Sequence, residues 1–264
     1  IKNFNFEFQD HQKYAIVGPN GSGKSTLLQL LSQFSLPTKG SVKYLDNQGN
    51  PIDSDLAFKQ ITFAAPYSEI IEEFTISELI SFLVGLQNLP SAFNVQAFEE
   101  FSELKTNPNK LIRDFSSGMK QKTKLTLALS APRPFLFLDE PTTGFDPEAR
   151  RSFWELIRTL KAEGKTILLT THYLDEAQEL ADRVGVINNG KIIEIGTPQT
   201  LGGRNTAPAK VSWLENGKQQ VIETKDPTTE VIRLNQKFNG EIPELEVSRP
   251  NLEEIYLKMI GELK

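Results

Sequence analysis

The stretch YAIVGPNGSGKST, Tyr14–Thr26, decides the fold. Its opening, YAIVG (14–18), is a short apolar run ending in Gly, the mark of a buried strand. Its close runs into STLLQLLSQF (25–34), which reads as a helix. Between them GPNGSGKST (18–26) matches G-x-x-x-x-G-K-[ST], a phosphate-binding loop. Asn20, Gly21, Ser22 and Gly23 make the turn, and the glycines let backbone N–H groups curl round phosphate oxygens. Lys24 brings a point charge to the β and γ oxygens. Ser25 brings a hydroxyl for Mg²⁺, and Thr26 continues the first helical turn. This loop predicts a nucleoside triphosphate site.

Two further strand ends carry chemistry. FLFLDEP (135–141) has four apolar residues and then two acids. Asp139 at the strand's carboxyl end is placed to hold Mg²⁺ through its water shell. Glu140 is then placed to act as general base on a water attacking the γ-phosphate. TILLTTH (166–172) is another buried strand, ending in His172. Open α/β sheets bind ligands at their carboxyl edges, so His172 is a candidate partner for the γ-phosphate and the attacking water. A second anion-binding helix start, IRDFSSGMKQKTKL (112–125), is also present. Ser116 and Ser117 can cap it, Gly118 admits close backbone approach, and three lysines follow.

The remaining pattern alternates strands with helices, which implies a mostly parallel α/β sheet. VKYLD (42–46) reads as a strand and Thr75 with Glu78 as a capping box opening a helix. Residues 87–110 read as loops around one short helix, VQAFEEFSEL. The helix begun at Ser116 is expected to reach about Ser130. A second helix should run from Asp146-Pro147 to near Gly164, and VGVINNGKIIEIG (184–196) should be a hairpin with an Asn-Gly turn. Past Gly196 a linker leads to short strand-like pieces and a final amphipathic helix, NLEEIYLKMIGEL.

Composition narrows the class. The 264 residues carry a formal charge of −5, which disfavours a dedicated nucleic-acid binder. There is no Cys, so neither disulfides nor thiolate metal sites are open to the chain. No apolar run approaches the roughly 18 residues that cross a bilayer, and there is no signal-peptide pattern. The chain is therefore expected to be cytoplasmic, with any membrane link running through a partner. It opens on Ile1, so the native start is expected to be missing or processed.

The phosphate loop, FSSGMKQ, FLFLDEPTTGFD and TTH, in this order and spacing from Gly18 to His172, resemble the ATP-binding subunit of ATP-binding cassette (ABC) transporters. The resemblance reaches the hairpin ending at Gly196. It implies an α/β P-loop NTPase of the ABC ATPase type. That type has a RecA-like core with antiparallel β elements, an inserted helical subdomain at about 67–130, and here a small C-terminal α+β extension. The ATPase domain would span 1–200 and the accessory region 201–264.

The resemblance also implies a head-to-tail dimer around two ATP molecules with Mg²⁺. Ser116 and Gly118 would bind the γ-phosphate of ATP held by the other subunit, and Asp146 would be the carboxylate of the loop after Glu140. The signature departs from Leu-Ser-Gly-Gly-Gln: Phe115 replaces Leu, Ser117 the first Gly and Met119 the Gln. Met-Lys-Gln and the tail EVSRPNLEEIYLKMIGE resemble an exporter-like branch, although the tail reads equally as a plain packing helix. The partners implied are ATP, a second identical or related ATPase subunit, and a separate integral-membrane permease on whose inner face the subunit sits. The family's glutamine ligand aligns with Pro66. Either Tyr67, Ser68 or Glu69 takes its place or the ligand is missing, and the gapless flanking match favours the second. The family's aromatic residue under adenine would lie upstream of Ile1.

Overall fold

Apolar side chains alternate to the two sides of the central strands, and this period of two builds the fold. In β1 (Lys13–Val17) Tyr14 and Ile16 enter one core layer while Ala15 and Val17 enter the other. In β3 (Phe135–Asp139) Phe137 opposes Leu136 and Leu138 in the same way. In β4 (Thr166–Thr171) Leu168 opposes Ile167 and Leu169. Strands buried on both faces belong to a parallel sheet covered by helices.

The computed structural model describes residues 1–46, 48–65, 70–87, 109–129 and 133–261. With β2 (Ile61–Ala64), β5 (Arg183–Asn188) and β6 (Lys191–Gly196), the central strands form a six-stranded sheet ordered β2-β3-β4-β1-β5-β6. The first five strands run parallel, and β6 turns back antiparallel to β5. The hairpin turn is the expected Asn189-Gly190, both residues at positive φ.

Helix placement creates the cleft. α1 (Lys24–Leu31) follows β1 and puts Leu27 and Leu28 on the Tyr14 and Ile16 face. The opposite face carries Leu125 and Leu129 of the signature helix, together with Phe153, Ile157 and Leu160 of the helix after Asp146. It also carries Ala177 and Leu180 of the helix after His172. β1 and β4 are neighbours whose following helices depart to opposite faces. Their carboxyl ends therefore flank a crevice, the usual ligand position in such sheets.

Local chemistry sets the remaining helices. α2 (Ser54–Lys59) is capped by Asp53, and α3 (Ile76–Gln87) opens on the expected box, with Glu78 accepting from the Thr75 N–H at 2.8 Å. α4 (Ser117–Leu129) matches the helix expected from Ser116. α5 (Pro147–Ala162) is capped by Asp146, which accepts from Ala149 N–H at 2.8 Å. α6 (Leu174–Leu180) follows His172. Residues 42–46 are not a strand. They form one side of a tight turn, with a bridge between Leu45 and Pro51 and the Asp46 carboxylate accepting from Asn50 N–H at 2.8 Å. The turn chemistry of DNQGN leaves too little extended chain for a ladder. The helix expected at 95–104 and the segment Pro66–Glu69 lie outside the described residues.

A three-stranded antiparallel sheet, ordered β8-β7-β9, follows the linker. It comprises β7 (Ala209–Glu215), β8 (Lys218–Thr224) and β9 (Glu246–Ser248). α7 (Pro227–Phe238), absent from the sequence reading, packs Leu234 against Val211 and Trp213. α8 (Leu252–Gly261) is the expected final helix. Among the described residues no helix is long and apolar enough to cross a membrane.

One buried group in this core is ionisable. Glu176, on the inner face of α6 with Ala177 and Leu180, is 0% exposed. Neither carboxyl oxygen has a hydrogen bond of ordinary geometry, although Thr171, Thr142 and the Trp154 indole face it. Burial pushes its pKa up, and those three groups and Arg150 offset the rise in part. The native state therefore holds this proton more tightly than the unfolded chain does. Its contribution to stability is full below the ordinary glutamate range and is lost as pH rises through the native value. Glu176→Gln is expected to flatten that decline, so its melting temperature should overtake that of the parent chain as pH rises. Parallel pH dependences of the two melting curves would contradict this.

Candidate active site

The phosphate loop takes its shape from two glycines. Gly21 lies at φ 74° and Gly23 at φ 108°, conformations that favour residues without a Cβ. Gly18 is closed in from another side, since a Cβ there would sit 2.2 Å from the Ile187 carbonyl oxygen. The loop then feeds α1, whose first-turn N–H groups have no intrahelical partners. Lys24 is only 5% exposed, and its Nζ donates to the carbonyls of Gly18 at 2.9 Å and Pro19 at 3.3 Å. The Ser22 Oγ is buried without a partner, a polar atom aimed into the loop. Ser25 and Thr26 are exposed on the first turn.

The acids stand across the crevice. Asp139 is 4% exposed at the end of β3 and accepts from the Thr170 hydroxyl of the adjacent strand. Glu140 follows with φ 46°, an unfavourable conformation for a residue with a side chain. Its N–H is shared between the Thr170 carbonyl at 3.1 Å and the Thr170 hydroxyl at 3.0 Å. Its carboxylate spans the site, with Oε1 3.6 Å from Lys24 Nζ and Oε2 3.4 Å from His172 Nδ1. Gly18, Pro19, Asn20, Glu140 and His172 line one cavity of about 300 Å³, with Val17, Leu174 and Tyr256.

The structure thus brings Lys24, Glu140 and His172 together and places Asp139 beside them in sequence and sheet. It does not bring in the signature residues. Ser116 and Gly118 line no part of this cavity. Ser116 Oγ accepts from Met119 N–H at 3.2 Å as the cap of α4, and Gly118 approaches the backbone of Gly144. Asp146 is the cap of α5 and likewise stands outside the cavity. Phe115, in place of the family's Leu, is buried with Ile112, Ile76 and Leu79, so a large apolar anchor is kept.

Sequence reading missed Thr170. It is fully buried in a strand, TILLTT, that carries three buried threonines, and nothing in the sequence alone singles out the one facing Asp139. It also missed Tyr256, which comes from a helix more than 80 residues beyond His172.

The residues fit a nucleotide with Mg²⁺. The orphaned Ser22 hydroxyl and buried Lys24 suit phosphate oxygens. Among the described residues no cluster of three His, Asp or Glu could hold a metal by itself. The pair Ser25 and Asp139 is a sparse oxygen set, as befits an ion that keeps several waters and leans on substrate phosphates.

Comparison with known proteins agrees with this geometry. Over nearly the whole chain the sequence is 30% identical to a Nod factor export ATP-binding protein I of Rhizobium sp. (strain N33), covering 99% of this chain and 92% of that one. A protein of the same name from Neorhizobium galegae is 32% identical, over 99% of this chain and 80% of its own length. Among solved structures, an ATP binding subunit of an ABC transporter superposes with a TM-score of 0.69 at 22% identity, covering 97% of this chain and 90% of that one. A dimeric ATP-binding cassette in a post-hydrolysis state with ADP and Pi superposes with a TM-score of 0.63 at 22% identity, over 75% of this chain and 90% of that one. These two likenesses concern the fold. Residues 1–143 match the ABC transporter family, and with a phosphate loop, Glu140 and His172 at one crevice the chain belongs to that family as an ATPase.

Proposed function

We propose that this chain is the motor subunit of an exporter, which dimerises head-to-tail around two ATP molecules and drives a separate membrane permease. The observation that carries the reading is the Glu140 carboxylate, held between Lys24 at 3.6 Å and His172 at 3.4 Å, with Glu140 and His172 lining one cavity. A nucleotide switch that hydrolyses little would have no need of that trio.

Lys24 and the loop N–H groups bind and neutralise the β and γ phosphates. Mg²⁺, held by Ser25 and by Asp139 through water, would supply further charge neutralisation on those oxygens. Glu140 takes the proton of the attacking water, and His172 orients that water and the γ-phosphate. Asp139 stays fixed because Thr170 occupies one of its oxygens. Asn20, Gly21, Ser22, Gly23 and Thr26 complete the phosphate cradle.

Ser116 and Gly118 stand apart from their own subunit's cavity, which supports a role on the nucleotide of a second subunit. Asp146 then serves by capping α5 and so shaping the loop between Glu140 and that helix. Export is supported by the names of the relatives, which are export ATP-binding proteins, and a permease by membership of the ABC transporter family.

Three outcomes test this. Lys24→Ala is expected to abolish measurable ATP binding in a titration with labelled nucleotide, and unchanged affinity would refute the loop assignment. Glu140→Gln should keep ATP binding while slowing hydrolysis about 10²-fold, the scale of a lost general base. Light scattering should then show an ATP-dependent dimer, and a monomer with full turnover would sink the role. Ser116→Arg should leave nucleotide binding to the monomer intact and prevent dimerisation. A fall in monomer affinity matching that of Lys24→Ala would overturn its action on the partner's nucleotide.

A further inference from the structure

Tyr256 reaches the cavity of Glu140 and His172 from the far end of the chain. It lines the same space as Gly18, Pro19 and Leu174, although it belongs to α8, the last helix described. Its hydroxyl makes no hydrogen bond to any described residue, so packing is what the ring contributes. Tyr256, Met259 and Ile260 lie against the main core in company with Leu174, and Leu252 enters that core outright.

α8 is fixed there by several independent contacts. It begins with a reciprocal cap: Asn251 Oδ1 accepts from Glu254 N–H at 2.8 Å, and Glu254 accepts from Asn251 N–H at 3.1 Å. Glu254 also receives Lys210 Nζ of β7 at 2.9 Å. Arg204 clamps the helix to the ATPase core, donating to Pro250 O at 2.8 Å, to Gln178 Oε1 of α6 at 3.0 Å and to Pro198 O at 2.9 Å. Underneath, Gly202 lies at φ 58°, and a Cβ there would stand 2.5 Å from Ile255 Cγ2. The helix therefore rides directly on backbone and has no room to slide inward.

His172 needs such support. Its side chain is 41% exposed, and its near neighbours are the Glu140 carboxylate and the ring of Tyr173. The imidazole sits two residues before Leu174, at the backbone that leads into α6. Leu174 and Tyr256 line the same cavity as His172.

We infer that Tyr256 is a positioning residue for ATP hydrolysis: α8 docks on α6, and the Tyr256 ring braces the turn that carries His172 and closes that side of the cavity. The C-terminal region thereby sets turnover without touching phosphate. The inference rests on the proposed roles of Glu140 and His172. A group that holds a catalytic side chain in register acts on the chemical step, because small displacements of reacting groups cost rate more than affinity.

Steady-state ATP hydrolysis by the full chain tests it. Tyr256→Ala should lower kcat about tenfold and leave KM for ATP within about twofold, and Tyr256→Phe should restore kcat. Arg204→Ala, which loosens α8 from outside the cavity, should lower kcat in the same direction at constant KM. Leu257→Ala, exposed on the same helix, should change neither. If Tyr256→Ala does not fold, Arg204→Ala decides by the same criterion. Parental kcat in Tyr256→Ala, a KM that rises in step, or a Phe variant as slow as the Ala variant would overturn the bracing role. Glu140→Gln run in parallel separates the two readings. Slow Glu140→Gln with unaffected Tyr256→Ala sinks this inference alone, whereas normal turnover by Glu140→Gln sinks the hydrolytic reading and this inference with it.

Discussion

The Thr170 hydroxyl joins two acids that would otherwise have no reason to stay where they are. It donates to the buried Asp139 carboxylate and accepts from the Glu140 N–H, while the Thr170 carbonyl takes the same N–H. A buried carboxylate without a donor is costly, and so is a residue with a side chain at positive φ. One threonine on the neighbouring strand meets both demands. The left-handed turn at Glu140 then swings its carboxylate away from the sheet and across the crevice towards Lys24 and His172. Had Glu140 continued β3 in extended geometry, alternation would have sent it to a core face. The strain at Glu140 is thus the local condition for a catalytic geometry, and the β3–β4 pairing, which sets Asp139 opposite Thr170, is what sustains it.

The same pairing explains why the buried strands were legible and the accessory elements less so. YAIVG, FLFLDE and TILLTTH each carry a core of three or four consecutive apolar residues, YAIV, FLFL and ILL, because both faces of their strands are covered. The loop GPNGSGKST was legible because phosphate binding leaves few choices of residue at its key positions. α7 was missed because PTTEVIRLNQKF turns only Val231, Leu234 and Phe238 inward while Ile232 is exposed, a thin stripe beside the strands around it. VKYLD misled for the opposite reason. Its β-branched and aromatic residues favour a strand, but the Asp46 carboxylate gathers the N–H groups of Gln48 and Asn50 into a turn before any ladder can form.

The site divides along similar lines. The residues proposed to act through their own chemistry, Lys24, Asp139, Glu140 and His172, could be named from type and spacing. Thr170, Glu176 and Tyr256 act through placement, and placement depends on register and on which helix covers which face. Glu176 shows the difference. In HYLDEAQEL it is one acid among three on a helix that looks solvated, yet it is the one turned inward, between the His172 segment and the turn that follows Glu140. Only the packing of α6 on the sheet distinguishes it from Asp175 and Glu179, which face outward as partners of Arg150 and Arg158.

The second helix start remains the feature that a single chain does not consume. Ser116 already caps α4 by accepting from Met119 N–H, which might be taken to exhaust it. A hydroxyl, however, carries a proton and a second lone pair. Capping uses an acceptor site only, and it fixes the oxygen at the mouth of α4, where the helix dipole is positive. The proton is left to donate outward, to an oxygen of an anion approaching along the helix axis. The lysines that follow do not compete for that anion equally, because Lys120 is already drawn off to Glu72 at 2.6 Å. The capped serine, the backbone of Gly118 and the helix itself offer uncharged donors at this end. That is a neutral, geometric form of recognition. In the proposed head-to-tail dimer it would suit a phosphate whose charge is already countered by Lys24 and Mg²⁺ of the other subunit.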